Sequence, residues 1–529
     1  MSLDLNLFIR IKKWVIINKF ILLILLFYFV FNLINLTGLP IFNDEAIYID
    51  WGWIQTHWPG HEYDSLSDAK QPLMLWLFGI FANFLDDPLF AGRFVSVLFG
   101  GGTLIGIYLT SKKLFNKNAG LIAAFIYSIT PIFVFFNRQA LLESGLICVG
   151  VWAFYMILNF LEKPNNKNAI LLGVILGTGF FIKSTSLIFI VVSFLIIFLY
   201  ILKRKKNELL KPTSIILASI LAVDILLLIN PVFWQTLPTN SRYSFTFLEL
   251  ADLPFGAWTK NFLGFIEIGF FSITPLVFIA GIVGLFMIFR NKIKNYKIFF
   301  AYFIFALFLE IILTKSQSNR YLVSFLPFLI ISSSYVFSIF WQKKLLNKLL
   351  LGFCLIIPLF TSAFLIFNSK EYILKLSKVS KYSEMIYLSG QTSGVGINET
   401  VNYIKESTGE SVGIVVFGLN AGNPENAISV YSLKTNNLLA FRMDSRMYPG
   451  IETYECMVSK YPLFFVTRND ELLGMERFFS LGKSFPASEN YSIKVYELKK
   501  KCNEKIISFD DLYKNAIDEE LGIRPDVKY

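Results

Sequence analysis

WVIINKFILLILLFYFVFNLINL, residues 14–36, decides the class of this protein. The run has the length a bilayer core demands. Arg10, Lys12 and Lys13 precede it and no small-residue cleavage site follows, so it reads as a retained first span with the N-terminus inside. The next stretch, PIFNDEAIYIDWGWIQTHWPGHEYDSLSDAKQP (residues 40–72), is not lipid-like and is therefore expected outside. It holds Asp44 and Glu45, Lys70, Trp51, Trp53 and Trp58, and both histidines of the chain, His57 and His61. An acidic pair, a lysine and an aromatic cluster at a membrane surface suit a reaction centre. The plainer alternative is a solvated loop with an interfacial aromatic belt.

Composition extends the membrane reading to the whole chain. Of 529 residues 55% are hydrophobic, and the mean hydropathy is +0.56, too apolar for a soluble globule of this size. The net charge of +11 could mark a nucleic-acid binder, but no such module is recognisable, and cytoplasmic loops explain the excess better. Cys148 and Cys354 lie in apolar runs and read as packing residues, whereas Cys456 and Cys502 lie in the polar tail, where a disulfide is open.

After the short apolar segment LMLWLFGIFANFLDD (73–87), expected to lie along the interface, a zig-zag of spans is expected near 93–110, 119–136, 141–160, 168–182, 185–202, 213–230, 272–289, 298–313, 321–340 and 349–367. With the first they make about eleven. Loops assigned inside carry the lysine and arginine clusters, such as Lys203, Arg204, Lys205 and Lys206; outer loops carry few. Gly100, Gly101, Gly102 and Gly106 lie within a span and are expected to serve helix packing.

No span-length apolar run follows Phe367, so residues 371–529 read as a soluble α/β domain outside the cell membrane. Strands are expected at 413–419, 429–434, 438–443, 463–467 and 492–498, and helices near 398–407, 450–460 and 470–479. The expected fold is thus a polytopic α-helical membrane domain (1–370, with a first outer loop 37–92) and a C-terminal extracytoplasmic domain.

Seven basic residues, Lys70, Arg93, Arg138, Lys183, Arg242, Lys315 and Arg320, fall on the outer side, where the positive-inside rule disfavours them. Snorkelling explains any one of them; together they suit an anion such as a lipid phosphate. Asp44, Glu45, Asp50, Asp68 and Glu143 share that side, and a carboxylate beside a span calls for a partner or a function. Arg138 is the nearby partner that Glu143 could pair with.

The order NDEAIY (43–48), AKQPL (69–73), AGRF (91–94), NRQALLESGL (137–146), FIKSTSL (181–187) and SNRYLVSFLP (318–327) resembles the protein mannosyltransferase and aminoarabinose transferase family, multi-spanning glycosyltransferases of the C superfamily. The resemblance covers nearly the whole membrane part. It implies a glycosyltransferase C-like fold and assigns the catalytic base to Asp44, with Glu45 beside it. The family's Lys-Pro-Pro element falls on Lys70 and Pro72, with Gln71 in place of the first proline. Arg93, Arg138 with Glu143, and Arg320 with Tyr321 fall on its other polar positions. An acidic residue that helps hold a metal in some members is Ala69 here, so the resemblance leaves a divalent metal ion open.

The physical account runs the same way. Nucleotide sugars are not supplied outside, and no nucleotide loop is evident; a sugar on a polyprenyl phosphate answers both points. Lys70, Arg93, Arg138 and Arg320 would hold the leaving phosphate, Glu143 would orient sugar, acceptor or a basic partner, and a carboxylate would take the acceptor proton. One displacement would invert the anomeric centre. The expected partners are a polyprenyl-phosphate sugar donor, an extracytoplasmic acceptor (protein, lipid or glycan) and the bilayer. The tail would recognise the acceptor or shape its entry. The rival is a lipid or glycan transporter or flippase, which would place its charges near the midplane and show paired repeats.

Overall fold

The computed structural model describes residues 2–204, 207–342, 345–381, 384–409, 413–417, 422–435, 438–442, 462–468, 479–488 and 491–498. The chain divides into two compact units. The first comprises residues 1–36, 65–73 and 96–382; the second comprises 37–64, 74–95 and 383–529.

The first unit is helical. Among the described residues seven helices are long and apolar enough to cross a membrane, and eight if the bent pair Lys117–Ile129 and Pro131–Asn137 is one span. The 66° bend follows from Pro131, which has no N–H to give and holds Thr130 in extended backbone at φ −82°, ψ 124°. Three shorter apolar helices, Asn166–Ile182, Pro275–Arg290 and Leu326–Trp341, occupy the remaining expected span positions. Each of the eleven expected spans therefore meets a helix. Large apolar side chains such as Phe353, Ile356 and Phe360 stand exposed along Leu345–Phe367, as lipid-facing surfaces require. The glycine run acts in packing as expected: a Cβ on Gly100 would lie 2.0 Å from the Tyr28 hydroxyl.

The second unit is built on a five-stranded sheet ordered β2-β1-β3-β5-β4, with β1 Gly413–Phe417, β2 Leu438–Arg442, β3 Leu463–Arg468, β4 Phe479–Ser488 and β5 Tyr491–Leu498. The β2-β1-β3 half is parallel; β5 runs antiparallel to both β3 and β4. Four of the five expected strands are present, and Ile397–Thr408 is helical as expected. The fifth expected strand is a correction. Residues 429–434 fall mainly in the helix Glu425–Ser432, whose residues Asn426, Ser429 and Ser432 are buried with polar partners. Their alternation with apolar residues reflects those partners, not a pleat. β4 was not expected; its Lys483, Ser484, Pro486 and Ser488 dilute the strand signal. The helices expected near 450–460 and 470–479 lie outside the described residues, apart from Phe479 at the start of β4, as do Cys456 and Cys502.

Two pieces of the segment expected as the first outer loop, residues 37–64 and 74–95, join this second unit. They contribute the helix Asn43–His57 and most of Leu73–Phe84, which close on each other so tightly that a Cβ on Gly52 would lie 2.2 Å from the Leu75 carbonyl oxygen. Twelve residues rise only about 18 Å as a helix, too little to cross a bilayer core, so Leu73–Phe84 is no span.

Candidate active site

In the first unit three elements bring charge to one point. Glu143 opens the helix Glu143–Glu162, where its carboxylate is fully buried. Lys183 sits in the one-residue break between the helix Asn166–Ile182 and the 3-10 turn Ser184–Ser186, in extended backbone at φ −158°, ψ 132°. Arg320 stands on the four-residue helix Asn319–Leu322, which Ser318 caps by accepting the Arg320 N–H at 3.3 Å. Glu143 Oε1 accepts from Arg320 Nε at 2.8 Å and from Lys183 Nζ at 3.1 Å. The two cations remain 20% and 15% exposed, and Glu143 Oε2 is buried without a hydrogen-bond partner among the described residues. Glu143 therefore pairs with these two partners, 177 and 40 residues away in the sequence.

Aromatic and polar groups extend this centre. Lys183 Nζ lies 5.7 Å from the centre of the Tyr321 ring, and Lys70 Nζ lies 5.8 Å from that of Tyr243. Gln71, which stands where the family has proline, accepts the Ser184 N–H at 3.1 Å and so ties the Lys70 loop to the Lys183 turn. Lys183, Arg320, Tyr321 and Glu310 line one cavity with Thr185 and Ser324 over an apolar floor. Burial lowers the Lys183 pKa; Glu143 opposes this, and the charges of Arg320 and Lys70 add to the lowering. Burial likewise pushes the Tyr321 hydroxyl up to about 12, so it is a hydrogen-bond donor at neutral pH. Lys70, Lys183 and Arg320 outnumber the two carboxylates beside them, Glu143 and Glu310, so cationic groups are in excess at the centre.

Glu310 was not singled out in the sequence. It is 3% exposed and accepts from Thr314 Oγ1 at 2.8 Å. Its signal was available: a carboxylate inside the apolar helix Tyr296–Leu313 is costly unless it has a function or a partner.

The other cations expected on the outer side are engaged elsewhere. Arg242 pairs with Asp68 at 3.1 Å, and Lys315 with Glu249 at 2.7 Å. The hydrogen bond from Lys315, with that from the Thr246 N–H, lowers the Glu249 carboxyl to about 2. Arg138 donates to the carbonyls of Asn32, Ile34 and Asn35, the last two at 2.8 and 2.6 Å. It thereby caps the C-terminal end of the first helix, Ser2–Leu33, where a cation also meets the helix dipole.

Asp44, Glu45 and Arg93 belong to the second unit. Glu45 Oε2 accepts the Phe42 N–H at 3.0 Å, which closes a capping turn at the start of Asn43–His57. Arg93 grips the same carboxylate and adds the Leu39 carbonyl at 2.9 Å. Both side chains are fully buried. Asp44 is half-buried in the first helical turn, where unpaired backbone N–H groups favour a carboxylate. Among the described residues no group of three or more His, Cys, Asp and Glu is placed to hold a metal ion.

Comparisons with known proteins agree with this architecture. Residues 69–234 match the family described as dolichyl-phosphate-mannose-protein mannosyltransferase. The matched segment includes Lys70, Arg93, Arg138, Glu143 and Lys183; Asp44, Glu45, Arg320 and Tyr321 lie outside it. No curated protein matches the sequence. Among solved structures the chain is similar to ArnT from Cupriavidus metallidurans bound to undecaprenyl phosphate, at a TM-score of 0.57 and 13% identity, covering 90% of this chain and 98% of that one. The apo state of the same protein gives a TM-score of 0.54 and 14% identity, covering 92% and 98%. At this identity the likeness is one of fold, and the fold is ArnT-like. The resemblance noted from the ordered motifs is borne out on both counts.

Proposed function

We propose that this protein is a membrane glycosyltransferase of the C superfamily that moves a sugar from a polyprenyl phosphate to an acceptor outside the cell membrane. The observation that carries the reading is the convergence of Lys183 and Arg320 on one buried carboxylate, with Lys70 tied alongside. The matched family takes its name from a dolichyl-phosphate-linked mannose, and the ArnT of the same fold was solved with undecaprenyl phosphate. Both are supports for a lipid-phosphate donor here.

In this reading Lys70, Lys183 and Arg320 bind the lipid phosphate and stabilise the charge that develops on it as the sugar leaves. Glu143 holds Lys183 and Arg320 in position, and Tyr321 donates to the donor. Asp44 takes the proton of the acceptor hydroxyl as its oxygen attacks the anomeric carbon. A single displacement of this kind inverts that carbon. Glu45 and Arg93 act as the mounting of the helix that carries Asp44, since each is buried and spent on the other and on backbone groups. Arg138 is assigned to capping the first helix, because its guanidinium is taken up by three carbonyls.

The test is release of polyprenyl phosphate from a labelled polyprenyl-phosphate sugar by the purified protein in nanodiscs with candidate acceptors. Release coupled to acceptor labelling supports transfer. Movement of intact donor across the bilayer without release supports the transporter reading instead.

A further inference from the structure

Within the second unit, the helix that carries Asp44 is held at two points by one short segment of the tail, residues 422–429. The first point is Asn43. Its backbone N–H donates to the Thr392 carbonyl at 3.0 Å, and its side-chain Oδ1 accepts the Asn423 N–H at 2.8 Å. A backbone N–H can only meet the oxygen of an amide, so this contact fixes which way the Asn43 side chain points. Its Nδ2 is thereby turned to Asp44 Oδ1, 3.5 Å away. Gly422 presses on the same group: at φ +106° a Cβ there would lie 1.7 Å from Asn43 Oδ1.

The second point is Asp50, which is 2% exposed and accepts from Asn426 Nδ2 at 2.7 Å and Ser429 Oγ at 2.9 Å. Asn426 is itself locked, because its Oδ1 takes the Gly422 N–H at 2.6 Å. Asn43 and Asp50 are seven residues apart, two turns along one face of the helix. Gripping one face at both points fixes the helix in rotation and translation. Asp44 follows Asn43 by one residue, about 100° around the axis from the gripped face.

We infer that the tail segment 422–429 is a positioning element for the Asp44 carboxylate, acting through the Asn43 amide. The inference rests on the reading of Asp44 as the base. It gives the tail a part in the chemistry beyond admitting the acceptor. The Asn43 Nδ2 hydrogen orients the carboxylate, while the pair of contacts at Asp50 keeps the helix from turning. A reacting group displaced by about 1 Å can lose on the order of 10²-fold in rate.

The experiment compares Asn43→Ala, Gly422→Ala and Asp44→Asn in the full-length protein, each with steady-state transfer and a separate polyprenyl-phosphate binding measurement. Asn43→Ala removes the link and leaves the Thr392 contact and the Asp50 anchor in place. Gly422→Ala pushes Asn43 away from the tail side. Both variants are expected to bind polyprenyl phosphate normally with unchanged donor KM and to lose about tenfold or more in kcat. A purely structural role would lower the yield of folded protein without lowering kcat per folded molecule. Should Asn43→Ala fail to fold, Gly422→Ala decides alone. Normal kcat in either folded variant, beside an inactive Asp44→Asn, overturns the positioning role and leaves the base assignment standing. Normal turnover in Asp44→Asn overturns the base assignment itself.

Discussion

Arg93 clasps Glu45 through two parallel hydrogen bonds, Nε to Oε1 at 2.9 Å and Nη2 to Oε2 at 2.8 Å, with neither side chain exposed. A buried fork of this kind costs most when one arm is removed, because the other charge is left without compensation. Arg93→Met is therefore expected to destabilise the protein by about 3–5 kcal/mol. Thermal unfolding in detergent measures this. Polyprenyl-phosphate affinity of the folded fraction should stay near normal; a selective loss of that affinity with normal stability would return Arg93 to the phosphate site.

Lys70 and Arg320 should behave in the opposite way. A charge-assisted contact to an anion contributes roughly 1.5–3 kcal/mol. Lys70→Ala is then expected to weaken polyprenyl-phosphate binding by about tenfold or more, with little change in unfolding temperature. Arg320→Ala should also weaken binding, and in addition lower stability, since it strips one of the two partners seen on the buried Glu143. Isothermal titration with polyprenyl phosphate, beside a thermal melt, separates the two effects.

The lowered Lys183 pKa gives a pH dependence with a definite sign. Phosphate binding needs the ammonium, so affinity is expected to fall as pH rises through the folded-state value, earlier than an ordinary lysine would require. Between that value and the unfolded one the unfolded chain binds the extra proton, so the Lys183 contribution to stability rises with pH there. Lys183→Arg should keep its charge and move the loss of binding to higher pH. An unchanged alkaline limb in Lys183→Arg would remove Lys183 from phosphate binding.

Topology is open to a direct test. On the positive-inside rule, basic loops such as that at Lys203 would place the N-terminus inside, and the eleven expected spans would then place the tail outside. Protease added to intact spheroplasts should cleave within residues 383–529. Protection of that region, with cleavage restored on lysis, would reverse the assignment.

The sequence disclosed the spans because length and hydropathy are local properties, and it disclosed the outer cations because their positions break a local rule. It did not sort those cations. Arg93 finds Glu45 48 residues away, and Arg138 finds Asn32 106 residues away. Lys70, Lys183 and Arg320 differ from them only in tertiary surroundings. The helix at Glu425–Ser432 was misread for the same reason: its buried polar residues answer Asp50, nearly 380 residues earlier. Glu310 is legible as a lone carboxylate within an apolar run.

The central claim is that a carboxylate at position 44 serves transfer from a polyprenyl-phosphate sugar. Its most direct test is single-turnover release of polyprenyl phosphate from a labelled donor by purified wild-type and Asp44→Asn protein, with acceptor present and donor binding measured in parallel. Asp44→Asn keeps the size of the side chain and removes the base, an effect typically worth about 10²–10⁴-fold in rate. The expected result is normal donor binding with release slowed on that scale. Release at the wild-type rate in Asp44→Asn would contradict the account.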